Sequence, residues 1–265
     1  MDLKIKSYFP MIKKSRNRKS ILVMFNMSLI IASIAIILNF SFSWAKLKNT
    51  FIEPEIILSG SIEYDQKSYI AHVTKITGEI ANHLHSRKIL EALMMHPFVQ
   101  ASRVSYRYPN KIIIELKERE AFAIINKDPL VILDRDCFVL PIDNNFNNYD
   151  IPILSKFNSD NNLYPIGEKS LSVKVQETIL WLSSLYDQDP DFYSSISEVL
   201  LENGNEIVLI LNEYPTKVLL GDTDTLQKIE ILKKFEQTIK ETKKITDYAY
   251  LDIRYNNQII AKENK

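Results

Sequence analysis

A run of 26 residues without a single charge, from 20 to 45 (SILVMFNMSLIIASIAIILNFSFSWA), lies near the start of the chain. Roughly 20 apolar residues carry a helix across a bilayer core, and residues 21–42 supply that length. Asn26 and Asn39 fall toward the two ends of the run, where polar groups cost least, and Ser28 and Ser33 can bond back onto the helix that carries them. Trp44 falls where an amphipathic ring favours the membrane interface. The first 20 residues hold seven basic side chains against one acid, a net charge of +6, which leaves −6 for the rest of a chain with no net charge. Basic flanks stay cytoplasmic. The reading is therefore a cytoplasmic tail over 1–20, a transmembrane helix over 21–42, a juxtamembrane linker over 43–53, and the remainder outside, periplasmic in a bacterial cell. A cleaved signal peptide is the rival. Its apolar stretch runs about 7–15 residues to a small-x-small site; this run is longer, and Ser43, Trp44 and Ala45 put a bulky ring in the middle of the best candidate site.

The rest of the 265 residues can bury a core, and must do so by packing alone, because Cys137 is the one cysteine. Beside Phe138, Val139 and Leu140 it reads as a small buried hydrophobe. Residues 55–59 form a candidate strand stopped by Gly60. Residues 61–85 show no single period. Ser86 is a plausible cap for a helix with Ile89, Leu90, Leu93 and Met94 on one stripe, ended by Pro97. Two strands follow, 99–108 and 111–118, around a turn at Pro109 and Asn110. In the second, Ile112, Ile114 and Leu116 face one way. From 120 onward the texture is short strands (121–126, 130–133, 138–140, 151–154), a polar loop over 144–150, and a helix over 170–186. Then come a hairpin around Asn203 and Gly204, a strand closed by Gly221, a helix capped by Asp222 or Thr223 with Leu226, Ile229, Leu232 and Phe235 on its face, and a strand over 248–261 with a turn at Asn256 and Asn257. The Lys/Glu tail, 262–265, is expected to fray. The fold class is α+β.

The search for chemistry returns little. His72, His83, His85 and His96 show no metal-ligand spacing. Five glycines leave no phosphate-binding loop. Glu118 with Glu120, and Asp134 with Asp136, are carboxylate pairs of the kind glycoside hydrolysis uses, but each borders a strand and reads as a solvated face. No catalytic, cofactor-binding or metal residue is assigned, and no small-molecule substrate. The basic tail beside a span is explained by topology and contact with membrane lipid rather than by nucleic acid. What remains is binding surface, above all a strand-rich end that can lie at a sheet edge.

Several stretches, taken in order, resemble the FtsQ/DivIB family of bacterial cell division proteins. Pro97, Phe98 and Val99 through Val104 to Tyr108 and Pro109 resemble its "WV..A.V.R.WP". Residues 112–119 (IIIELKER) resemble "L.I.V.ER", and 131–134 (VILD) the "L.D..G" that follows. Residues 151–154 (IPIL) resemble "LP.L", Asn203–Gly204 through Leu219, Leu220 and Gly221 a hairpin ending in "LG", and 251–257 (LDIRYNN) the terminal "VDLRY..G". The departures are Glu120 and Ala121 where the family has proline, Cys137 near its glycine, Gln258 for the last glycine, and little likeness over 61–85.

The resemblance implies a POTRA domain (β-α-α-β-β) over 54–119 and a mixed β-domain with antiparallel sheet and helices over 120–261. It implies a non-enzymatic scaffold at the division septum in the inner membrane, gathering the single-pass partners FtsB and FtsL, with further division proteins engaged through the POTRA domain. Carried over, the partner site is Arg254, Tyr255, Asn257, Gln258, Ile259 and Ile260, where a partner adds a strand. Two other classes compete: another POTRA-bearing secretion or assembly component, and a membrane-anchored wall enzyme. The first normally needs repeated POTRA copies or a long barrel, the second a cleft with facing catalytic groups.

Overall fold

The structure is a computed structural model of the 265-residue sequence; it describes residues 17–47, 54–61, 65–142, 150–212, 216–255 and 258–264. The basic tail up to residue 16, most of the 144–150 loop and the turn at Asn256 and Asn257 lie outside the described residues. Two compact units emerge, residues 1–55 with 106–112, and residues 56–105 with 113–265.

In the first unit the uncharged run forms α1 (Asn17–Leu47), 31 residues long. At 1.5 Å per residue it extends about 46 Å, and Ser20–Leu47 is long and apolar enough to cross a membrane. Ser28 Oγ donates to the Phe25 carbonyl and Ser33 Oγ to that of Ile30, both at 2.8 Å. These bonds satisfy the two hydroxyls inside their own helix.

After α1 the chain forms β1 (Glu55–Ser61), α2 (Gln66–Thr77), α3 (Ser86–Met94), β2 (Val99–Arg107) and β3 (Lys111–Glu118), the β-α-α-β-β order expected, in a three-stranded sheet β1-β3-β2 that belongs to the second unit apart from residues 55, 106–107 and 111–112. Helix α2 occupies the stretch that showed no period. The Asp65 carboxylate caps it by accepting the Lys67 N–H, and Gly78, at φ +69°, closes it. Helix α3 buries Ile89, Ala92 and Leu93 and leaves Met94 exposed; its cap position is His85, one residue before the expected Ser86. Strand β3 alternates as expected, with Ile112, Ile114 and Leu116 buried. At Gly60 (φ +115°) a Cβ would overlap the Leu116 carbonyl oxygen, so no other residue fits that crossing of β1 over β3.

The larger sheet has nine strands in the order β12-β11-β10-β9-β8-β7-β4-β5-β6. These are β4 (Ala123–Ile125), β5 (Val131–Leu133), β6 (Val139–Leu140), β7 (Ile153–Ser155), β8 (Ile196–Glu202), β9 (Glu206–Leu211), β10 (Lys217–Gly221), β11 (Tyr248–Asp252) and β12 (Ile260–Glu263). Pairs β4–β7, β7–β8 and β10–β11 are parallel and the others antiparallel, so the sheet is mixed. The β8–β9 turn holds Asn203 at φ +48° and Gly204 at φ +84°, the two successive positive values a tight hairpin needs.

Helices α4 (Val173–Gln188), α5 (Pro190–Ser194) and α6 (Thr225–Ile239) complete this part, and their apolar stripes close its core. Val175, Ile179, Leu182 and Leu185 of α4 and Ile229 and Leu232 of α6 share one cluster with Leu209, Val218, Leu220 and Leu251 of the strands. The α6 cap is Asp224, at φ +55°, rather than Asp222 or Thr223. Cys137 is buried, as expected; it stands at φ +65°, the left-handed region glycine tolerates, close to where the family pattern has its glycine. Lys262 and Glu263, expected to fray, pair within β12 instead.

Candidate functional site: the terminal strand edge

Strand β12 is one of the two outermost strands of the nine, β6 being the other, and all four of its residues are exposed. It runs antiparallel to β11, with Asp252 opposite Ile260, Leu251 opposite Ala261, Tyr250 opposite Lys262 and Tyr248 opposite Glu263. Contacts at its far end explain why the Lys/Glu tail is ordered. Lys243 pairs with Glu263. The Asn264 N–H donates to the Asp247 carbonyl at 2.9 Å, and its side-chain amide to that of Thr246 at 3.1 Å. Beneath the edge, Thr216 Oγ1 donates to the Tyr248 carbonyl at 2.8 Å, and the Ile253 N–H to that of Leu219 at 3.0 Å.

Arg254 anchors the point where the chain leaves β11. Its guanidinium holds both Asp252 oxygens, Nε on Oδ1 at 2.9 Å and Nη2 on Oδ2 at 2.7 Å, and reaches Glu206 Oε2 through Nη1 at 3.3 Å. The Arg254 backbone N–H also donates to Asp252 Oδ1. These hydrogen bonds hold the Asp252 carboxyl below the ordinary carboxylate range despite its burial, and the same partners raise the guanidinium. Gly221 clears the space: a Cβ there would come within 3.2 Å of Arg254 Cγ and 3.4 Å of Lys228 Nζ. Lys228, itself buried, donates to the Leu220 carbonyl at 2.7 Å.

The six sequence-derived residues thus divide. Arg254 is committed to Asp252 and Glu206. Tyr255 is half exposed, its ring centroid 5.9 Å from the guanidinium carbon. Asn257 lies outside the described residues. Gln258 is exposed and Ile259 leans on the core on the way into β12, whose first residue is Ile260.

The paired acids correct the sequence reading. Glu120 and Asp136 are exposed, but Glu118 and Asp134 are buried rather than on a solvated face. Glu118 Oε1 accepts the Tyr69 hydroxyl at 2.5 Å. Asp134 binds Arg119 Nη1 at 2.6 Å and accepts the backbone N–H groups of Asp136 and Phe138. The Arg119 guanidinium lies 3.5 Å over the Phe138 ring. Both buried carboxylates are thus occupied in holding β3 to α2 and to the β5–β6 connection. Phe98, Ile132 and Leu140 pack together beside the second pair. Sequence reasoning missed this buried ion pair; the available signal was the arginine ending "ER" and the aspartate of "L.D". His85 stands at the N-cap position of α3 without a side-chain cap bond, and residues 81–83 form a 3-10 turn. Among the described residues no group of three His, Cys, Asp or Glu side chains could hold a metal. Burial pushes the Cys137 thiol up to about 11, far from a nucleophile's range.

Comparison with known proteins bears on the same region. The family model described as "FtsQ/DivIB, C-terminal related" matches residues 121–262, more than half of the chain. The cell division protein FtsQ of Geotalea daltonii (strain DSM 22248 / JCM 15807 / FRC-32) is 26% identical over 181 residues, 68% of this chain and 64% of that protein. The cell division protein DivIB of Clostridium tetani (strain Massachusetts / E88) is 27% identical over 149 residues, 55% of this chain and 54% of that protein. Each match thus spans less than two thirds of the relative's own length. The matched segment runs from just before β4 to the next-to-last residue of the edge strand, and the chain belongs to the FtsQ/DivIB family.

Proposed function

We propose that this protein is a non-enzymatic, membrane-anchored scaffold of bacterial cell division that captures single-pass partners of the FtsB and FtsL kind by strand addition at β12. Helix α1 anchors it in the inner membrane with the basic end inside and the sheets in the periplasm, at the septum. The observation that carries the reading is an outermost strand, exposed along its whole length, at the end of the segment that matches the family. Such an edge presents unpaired N–H and C=O groups to another chain.

The energetics set a condition on the partner. A four-residue edge offers about four outward hydrogen bonds, and each contributes about 1 kcal/mol net. About 4 kcal/mol corresponds to millimolar affinity, too weak for a scaffold. Side chains must supply the rest, and the exposed rings and branches beside the edge, Tyr255 and Ile260, supply apolar surface for it. Truncation after Arg254, or Gln258→Pro, is expected to abolish pull-down of an FtsB-like partner while circular dichroism of the remaining chain is retained. Pull-down that survives truncation rejects strand addition.

A further inference from the structure

Four aromatic and titratable side chains meet inside the β-α-α-β-β portion, away from the sheet edge. Tyr69 and His72 lie one turn apart on α2, His96 sits in the connection from α3 to β2, and Glu118 closes β3. Tyr69, fully buried, donates its hydroxyl to Glu118 Oε1. The His96 ring tilts over Tyr69 with centroids 4.7 Å apart, meets the His72 ring edge-on at 4.8 Å, and has Phe98 at 6.0 Å.

The surroundings hold each imidazole neutral. His96 Nδ1 accepts the Phe98 backbone N–H at 3.3 Å, so that nitrogen bears a lone pair, and a proton there would face the N–H. His72 Nε2 is buried with no hydrogen-bond partner among the described residues, while the Ala92 backbone works the other way and favours a proton on the ring. A proton added at that Nε2 has no acceptor waiting. Burial lowers both rings from the ordinary value, His96 to about 4 with the neighbouring His72 adding to the effect. Of the charged groups around them, Lys75 of α2 disfavours a proton on His72. Glu118 of β3 favours one on His96, though one of its oxygens already holds the Tyr69 hydroxyl. The groups facing the rings from α3 and from the α3–β2 connection are the Ala92 backbone and the Phe98 N–H and ring.

We propose that the His72–His96 contact is an acid-sensitive latch that fastens α2 to the α3–β2 connection, closed when both rings are neutral and opened when an acidified exterior protonates either one. Exposure to the exterior rests on the proposed orientation; the latch itself does not. Because His96 takes up its proton in the folded chain only near pH 4, the open state binds more protons between about pH 4 and 6.5, and the lowered His72 acts in the same direction. The closed state is therefore fully favoured above about pH 6.5 and loses ground as pH falls toward 4. For His96 alone the closed-to-open ratio drops at most roughly 20-fold from pH 7 to pH 5.

The test is a histidine-ring NMR titration of the full chain in detergent micelles, with amide hydrogen exchange of α2 at pH 7 and pH 5, corrected for intrinsic rates. The ring signals lost in His72→Asn and in His96→Asn assign the two residues. His96 is expected to stay neutral below pH 5.5 in the wild-type chain and His72 to titrate below the ordinary imidazole value, while α2 protection falls about tenfold between the two pH values. The double Asn variant, which carries amides that do not titrate, is expected to lose that pH dependence. Either ring titrating near 6.5, or an undiminished fall in the double variant, overturns the proposal. Should the double variant fail to fold, the wild-type ring titrations and the two single variants decide the question alone. Neither readout involves a partner, so failure here leaves strand addition untouched, and the reverse.

Discussion

Replacing Arg254 by alanine is the perturbation whose cost follows most directly from the geometry. The Asp252 side chain is 9% exposed and Arg254 32%, and the two meet through a two-pronged fork, with Glu206 on the remaining guanidinium nitrogen. Removing one member of a fully buried pair costs about 3–5 kcal/mol, because the survivor is left charged and unpartnered. Here one third of the arginine side chain is open, so water reaches the abandoned carboxylate, and Asp252 keeps the backbone N–H of residue 254. The cost expected is about 2 kcal/mol. Urea unfolding of the detergent-solubilised chain measures it. Asp252→Asn in the same background removes the stranded charge and is expected to restore about 1 kcal/mol, a coupling that only a direct interaction produces. Arg254→Lys keeps the charge without the fork and is expected to fall between the two. The pH dependence has a fixed sign. A carboxyl held below its unfolded value contributes stability above about pH 4 and loses it as pH falls through the folded value. The gap between wild type and Arg254→Ala is thus expected to be constant from pH 8 to 5 and to shrink below 4. A loss under about 0.5 kcal/mol, or no coupling to Asp252, refutes the reading of Arg254 as the anchor of the edge.

Other substitutions probe other parts of the chain. Gly60→Ala places a methyl on the Leu116 carbonyl at a positive φ, and is expected to cost upward of about 3 kcal/mol in the same unfolding assay. Arg119→Ala leaves Asp134 buried with two backbone N–H donors but no cation, an expected loss of about 3 kcal/mol that Asp134→Asn partly recovers. Leu182→Ala opens a void under α4 and is expected to cost about 2–5 kcal/mol. Cys137, buried and with its thiol pushed up to about 11, is expected to react with a thiol reagent at pH 8 only at the rate of chain opening; prompt labelling of the folded protein contradicts its placement.

Sequence alone revealed elements wherever burial is one-sided and local. The alternation of Ile112, Ile114 and Leu116, the stripe of α4 and the Asn203–Gly204 turn are all visible in short windows, because each rule operates within a few residues. Helix α2 escaped because Tyr69 and Val73 are its two fully buried residues, too few to establish a period among polar neighbours. The parallel pairing of β4, β7 and β8 was not visible, since it joins residues more than 25 apart in sequence and each strand shows only a short apolar run. At the terminal edge, the likeness to "VDLRY..G" located Arg254 to Ile260 but could not say what Arg254 touches. Glu206 lies 48 residues away, and Gly221 matters only because it makes room for the arginine side chain. The order of Lys262 and Glu263 was missed for the same reason, as it depends on Lys243 and on the backbone near Asp247. Glu118 and Asp134 were misread because charge by itself predicts exposure, while their partners, Tyr69 and Arg119, become visible only in the folded chain.

Amide hydrogen exchange across β12, with and without the purified extracytoplasmic segment of an FtsB-like partner, tests strand addition most directly. Added strand pairing is expected to slow exchange at residues 260–263, with the change centred there and absent in the Gln258→Pro variant. A partner that binds while exchange at 260–263 stays unchanged, with protection appearing elsewhere, contradicts the account.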